Sequence, residues 1–464
     1  MALTESVPAA APPAHEGILR RQSLRESAAR TYALSLPIVP VRARGLTIEG
    51  ADGRRYLDCL SGAGSLALGH NHPVVLEAIR GVLDSGAPLH ALDLATPVRD
   101  AFTTELFATL PGELAEKGRI QFCGPAGTDA VEAALTLVRT ATGNDGLLAF
   151  SGAHHGMPQG AATTAGGARH TGATRLPYPY DYRCPFGTGG EHGAELAARW
   201  TEHLLDDPGN GVPRPAGMIL EPVQGEGGVL PAPDSWLRRM RDITAARHIP
   251  LIVDEVQTGV GRTGTFWAVE HSGIVPDVLV LSQAIGGSLP LAVIVHREEL
   301  DVRRPGAPAG TFRGNQLAMA AGAATLAHVR ENGLARRAGE IGARMLARLG
   351  RLADSCACIG DVRGRGLLLG VELVDAEAEA DATGARPAAP ALAAAVRDAC
   401  LDRGLIVGLG GRHGAVIRLL PPLTLTDEQA DAILDRLTDA IAAAVRTTPA
   451  PTGPPPTTMR GTSP

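Results

Sequence analysis

The sequence predicts an α/β protein: a large domain on a mostly parallel sheet with helices on both faces, then a smaller α+β domain. Three observations carry that expectation. Short apolar runs at 119–123, 147–151, 217–221, 250–254, 278–282 and 291–296 are separated by helical patterns. Strands alternating with helices imply crossover connections, and crossovers make parallel sheets. After about residue 330 long Ala/Arg/Leu helices take over, followed by further strands.

Taken in order, residues 1–15 are Ala/Pro-rich and aperiodic, which predicts a disordered tail. Residues 16–70 are expected to form an N-terminal segment that packs with the small domain. The large domain runs over 71–330, with helices expected at 129–140, 191–205, 233–247 and 315–331. The small domain spans 331–446. It should hold a helix at 333–353, strands near 362–373 and 415–419, and a helix at 426–445. Within it, 372–391 reads as a loop or insertion. A Pro/Thr-rich stretch, 447–464, ends the chain as a second disordered tail.

At 464 residues, with 44% hydrophobic and 20% charged residues, the chain can bury a large core without disulfides. A net charge of −6 with no basic run argues against a nucleic-acid surface. No apolar stretch approaches the ~20 residues of a membrane span. The N-terminus does not read as a signal peptide, so a cytoplasmic protein is expected. Six cysteines, at 59, 123, 184, 356, 358 and 400, match no zinc spacing and are expected to be reduced. No metal site is expected. Of 43 basic residues only Lys117 is a lysine.

Several segments carry chemistry. In CGPAGTDAVEAALTLVR, 123–139, Gly124, Gly127 and Thr128 lie between a strand and a helix whose apolar face is Val131, Ala134, Leu135 and Val138. Small residues let backbone N–H groups approach an anion, and Thr128 adds a hydroxyl. A glycine turn with a threonine cap would look the same. SGAHHGM, 151–157, follows another strand and places His154 where it could lie flat on an aromatic ring. In LIVDEVQTGVGRTG, 251–264, an apolar strand ends in Asp254. A buried carboxylate is costly unless it meets a cation, and a protonated pyridine nitrogen is one. Gln257 could reach a phenolic oxygen on the same ring. The alternative is that Asp254 caps the following turn or pairs with an arginine such as Arg262. EPVQGEGG, 221–228, follows the apolar strand GMIL and places Glu221 and Glu226 near the same edge, unless it is a surface turn with both glutamates solvated. Arg418, between apolar neighbours, suits a bidentate carboxylate, with a structural ion pair as the alternative.

Together, in this order, these segments resemble the class III aminotransferases, pyridoxal phosphate (PLP) enzymes of fold type I. The resemblance covers about 25–445 and is narrowest to the diaminobutyrate–2-oxoglutarate aminotransferase group. That narrower likeness is carried by YLDCLSGAGSLALGHNHP (56–73), YRCPFGTGGEHGA (182–194) and GTFRGNQLAMAAG (310–322). The resemblance implies that Gly127 and Thr128 bind the cofactor phosphate, with Thr311 arriving from a neighbouring subunit. It implies that His154 stacks on the ring, followed by His155 and Gly156, and that Glu221 lies nearby. Asp254 would pair with the pyridine nitrogen and Gln257 with the ring hydroxyl. Arg418 would bind the α-carboxylate of glutamate or 2-oxoglutarate, screened by Glu226 when an amine enters. Because Thr311 crosses over, the resemblance implies a homodimer or larger assembly.

One position departs from the family. In VLVLSQAIGG, 278–287, Gln283 stands where relatives carry the lysine that forms a Schiff base with PLP and then moves the proton. A carboxamide nitrogen is neither nucleophile nor base at neutral pH. Lys117 lies before the strand at 119–123, about 15 Å of strand from the phosphate turn. The cofactor is therefore expected to be bound non-covalently. Two functions follow: an amino-group transfer between a 2,4-diaminobutyrate-like donor and 2-oxoglutarate, or a PLP-binding homologue without transamination. The second could act as a partner subunit of an active paralogue or in lysine-independent chemistry.

Overall fold

The computed structural model describes residues 15–27, 35–156, 172–302 and 310–447. The expected tails at 1–15 and 447–464 fall outside these residues except for His15 and Thr447, which end helices.

A seven-stranded sheet forms the centre. Its strands run in the order Arg119–Phe122, Ala292–His296, Val278–Ser282, Leu251–Asp254, Pro215–Leu220, Gly146–Phe150 and Ala173–Leu176. Only Ala292–His296 pairs antiparallel, with both of its neighbours. The other pairings are parallel. Four of the five inner strands are buried along their whole length, and Gly146–Phe150 everywhere but Gly146, because helices cover both faces. One core lies between this sheet and the helix Gly127–Thr142, through Ala130, Val131, Ala134, Leu135 and Val138. A larger core on the other face joins Trp236, Trp267, Phe102 and the small domain's Leu367, Ile417 and Leu437.

The apolar runs at 119–123, 147–151, 217–221, 250–254, 278–282 and 291–296 are strands within two residues at each end. Ala173–Leu176 went unread, because ATRL at a sheet edge is short and half-buried. The helix expected at 129–140 is Gly127–Thr142. Gly127 and Thr128 therefore lie in its first turn rather than before it, and Ala126 is the residue at the cap. Asp129 accepts a bond from the Ala126 N–H at 2.9 Å, which starts the helix without a threonine cap.

The stretch 362–373 is a hairpin, Ile359–Arg365 and Leu368–Leu373, within a four-stranded sheet completed by Val416–Leu419 and Gly408–Gly410. Residues 374–389 form turns closed by a Val374–Ala388 bridge. A third sheet joins Pro40–Arg44, Thr47–Gly50 and Arg55–Asp58 to Leu405–Ile406, so the N-terminal and C-terminal parts of the chain share a ladder. No helix among the described residues is long and apolar enough to cross a membrane.

Candidate active site

Parallel strands send their C-terminal ends to one edge of a sheet, and ligands bind there. Phe122, Phe150, Leu220, Asp254 and Ser282 all end on that edge. Beyond them lies a cavity of about 360 Å³. Gly127, Thr128, His154, His155, Glu221, Glu226, Asp254, Gln257 and Gln283 all line it. Nine positions spread over more than 150 residues of sequence thus meet in one space. Arg418 stands just behind, joined to the wall through Glu226. Thr311 is exposed and does not line this chain's cavity.

Asp254 is 6% exposed. Arg262 does not pair with it: that guanidinium donates to the Leu367 and Pro421 carbonyls. The partner is His155, whose Nδ1 lies 2.7 Å from Asp254 Oδ2. The other oxygen, Oδ1, accepts the Val256 N–H at 3.1 Å. Burial pulls the His155 pKa down. The hydrogen bond and charge of Asp254, with Glu221 behind it, outweigh burial and leave it raised. Glu221 accepts N–H bonds from His154 and Gly225. Burial, reinforced by the charge of Asp254 and opposed by His155, pushes it up to about 7.

The same cavity is lined by the first turn of the helix Gly127–Thr142, whose free N–H groups and positive dipole end favour an anion. The chain at Gly156 passes close above it. A Cβ there would lie 1.9 Å from Thr128 Cγ2, and φ is +102°, so the contact needs glycine. His154, the expected stacking residue, is exposed and is fixed through its backbone N–H.

Arg418 is fully buried, and its Nη2 lies 2.6 Å from Glu226 Oε1. Gln257 Nε2 stands 3.5 Å from the same oxygen. Gln283 follows the strand at φ +55°, a left-handed conformation that turns its side chain toward the cavity. Lys117 is exposed at the far end of the strand Arg119–Phe122 and is not part of the wall.

Five polar atoms in or beside the wall are buried without a partner: His155 Nε2, Gln257 Oε1, Gln283 Oε1, and Arg418 Nε and Nη1. Buried polar groups are rarely left unpaired, so this set is shaped for a polar occupant. Sequence reading missed Ala63, which enters the wall from a tight turn. Ser61, Gly62, Ala63 and Gly64 all have positive φ there, and a Cβ on Gly64 would meet Gln283 and Gln257 at 3.7 Å. The glycines of SGAG were the available signal. Glu255 was also missed. It is buried beside the site, accepts from Thr258, Ala268 and Val269, and is pushed by burial up to about 7.

The family model "Aminotransferase class-III" matches residues 28–441. A diaminobutyrate–2-oxoglutarate aminotransferase of Rhizobium meliloti is 53% identical, over 92% of both chains. One of Haemophilus influenzae is 46% identical, over 93% of this chain and 96% of its own. Among solved structures, a PLP-bound amine transaminase from an uncultivated Pseudomonas species superposes with a TM-score of 0.79 at 28% identity. It covers 96% of this chain and 98% of its own. The ornithine aminotransferase of Toxoplasma gondii gives a TM-score of 0.76 at 25% identity, covering 93% and 96%. Matched by the family model over most of its length and folded as a type I PLP-dependent transferase, the chain belongs to the class III aminotransferases.

Proposed function

We propose that the protein binds PLP without a covalent bond and moves an amino group between a 2,4-diaminobutyrate-like donor and 2-oxoglutarate. The observation that carries this reading is one cavity with a buried carboxylate, Asp254, on one wall and a helix N-terminus with Thr128 on another. A flat cation linked to a phosphate answers both. The orphaned His155, Gln257 and Gln283 atoms fit a ring bearing polar substituents. The amine anchor alone has no counterpart, because Gln283 occupies its place.

When bound, PLP supplies an electron sink that stabilises negative charge at the carbon losing a proton. The protein's share falls to named residues. Asp254, held by His155, keeps the ring nitrogen protonated. Gly127 and Thr128 hold the phosphate, His154 covers the ring, and Gln257 orients its hydroxyl. Glu221 fixes the His154 loop through two backbone bonds. Arg418 has two unpaired nitrogens for an α-carboxylate, and Glu226 neutralises it when the entering substrate offers an ammonium instead. Gln283 can orient a polar group but cannot take or give the proton, which costs about 10²–10⁴ in rate.

Thr311 and its neighbour Phe312, 63% exposed, lie beside Leu92 and Leu94. The two segments are tied by the His90–Asn315 bridge and the Arg313–Asp93 ion pair. A second copy, or an active paralogue, covering this apolar face would receive Thr311 at its own phosphate site. The lack of any lysine on the wall favours the second reading, a PLP-binding subunit without transamination. An absorption spectrum of the protein with PLP, before and after diaminobutyrate or glutamate, separates the two. Conversion to the amine form of the cofactor, with glutamate formed from 2-oxoglutarate, supports the first. A ligand-induced band that persists without turnover supports the second. No spectral response would end both.

A further inference from the structure

Cys356 and Cys358 read in sequence as an isolated C-x-C. In the fold they form a matched pair, with sulfurs 2.7 Å apart. The helix Leu334–Ser355 ends at Cys356, whose N–H still bonds to the Ala353 carbonyl at 3.2 Å. The chain then turns tightly. The Ile359 N–H returns to the Cys356 carbonyl at 3.0 Å, closing a β-turn before the strand Ile359–Arg365 begins. The Val374 N–H binds the Cys358 carbonyl at 2.9 Å. Helix end, turn and hairpin thus fix both backbones, and a small closing movement brings the sulfurs to the ~2.05 Å of a disulfide.

The two thiols differ. Cys356 is half-buried and open to solvent, whereas Cys358 is 5% exposed. Burial, and then the hydrogen bond and charge of Cys356, hold the Cys358 thiol up at about 12. The accessible sulfur is therefore the one a small molecule meets first. Modifying it removes the interaction with Cys356 that helps keep Cys358 protonated. Neither cysteine lines the cofactor cavity.

We propose that Cys356 and Cys358 form a thiol–disulfide exchange site that takes low-molecular-weight disulfides. Cys356 loses its proton to water, and the thiolate attacks one sulfur of the small disulfide. That S–S bond breaks, and the first small thiolate leaves. Cys358 then loses its proton and attacks the Cys356 sulfur, expelling the second thiolate. Two electrons and two protons pass from the pair to the small molecule, which leaves as two thiols.

The test treats the folded full-length chain with oxidised glutathione, blocks remaining thiols with iodoacetamide and maps them by peptide mass spectrometry. The peptide holding residues 356–358 should lose both alkylation sites together, carry no glutathione and regain both sites with dithiothreitol. Cys358→Ser should stop at a glutathione adduct on Cys356. Cys184, the other half-buried cysteine, should close no intrachain bond. A wild-type peptide that keeps both alkylatable thiols overturns the proposal, and so does one that stops at the adduct. Should the serine variant not fold, the wild-type map alone decides.

Discussion

Gln283 holds φ +55°, a region that costs a residue with a Cβ about 1–2 kcal/mol. The turn Gln283–Gly286 and the strand before it impose that geometry, so the side chain is aimed at the cavity whatever its identity. Gln283→Lys should therefore place an amine where the family has one. The cofactor should then survive extensive dialysis and become fixed by borohydride, and turnover should rise about 10²–10⁴-fold. A lysine variant that releases PLP as readily as the parent would show that 283 is not the anchor position. Buried acids give a second expectation at this scale. Glu221 and Glu255 are both pushed up to about 7, against an ordinary 4.5. Between those values the folded chain keeps protons that the unfolded chain releases, so stability falls as pH rises from about 4.5 to 7. His155, also raised, has the same sign: its contribution is present below its ordinary 6.5 and is lost as pH climbs past its folded value. Glu255→Gln should flatten part of this slope. It should also cost about 1–3 kcal/mol, because an amide NH₂ would face backbone N–H donors. Melting temperatures at pH 5 and 8 measure both. The same pH difference in variant and parent would count against it.

The site exists because elements approach one another with no room to spare. Gly156 crosses the first turn of Gly127–Thr142 at a distance no side chain allows, and Gly225 lies against Gln257, where a Cβ would be 1.7 Å from Oε1. Gly156→Ala should force the His154–Gly156 loop off the helix, with strain of about 1–3 kcal/mol. We expect a lower melting temperature and weaker PLP binding by fluorescence titration. Retention of both values would mean that the loop yields freely. Elements were legible in the sequence where packing is two-sided. LIVD and VLVLS are buried at every residue, so an unbroken apolar run announces them. Pro40–Arg44 was not legible. It is an edge strand of mostly exposed residues, PVRAR, and owes its form to pairing with Thr47–Gly50.

For the whole molecule, the exposed apolar side chains Leu92, Leu94 and Phe312 and the neighbouring Thr311 sit on one stretch of surface. If, as proposed, a second copy buries them, Thr311, which does not line its own cavity, would reach the copy's phosphate site. Phe312→Arg should shift the protein toward monomer in light scattering and weaken PLP binding with it. Thr311→Ala should leave the assembly intact and weaken PLP binding alone. If monomeric Phe312→Arg binds PLP as tightly as the parent, Thr311 has no part in the site.

The sequence by itself determined the chemistry available: an acid at a strand end, a glycine-rich helix start, a late arginine between apolar neighbours and a glutamine at the position where the family resemblance expects a lysine. These are local facts, set by residue type and by the periodicity of burial. Tertiary structure decided which groups meet. Asp254 could have paired with Arg262 on spacing alone, yet the sheet order places His155 against it, 99 residues away in sequence. Arg418, on a strand of a different sheet, meets Glu226 from 192 residues earlier in the sequence. Cys356 and Cys358 are two residues apart in sequence, and only the turn between helix and strand brought their sulfurs together. Electrostatic and covalent partners are fixed by distance in space, and sequence separation constrains that distance only within a turn or a helix.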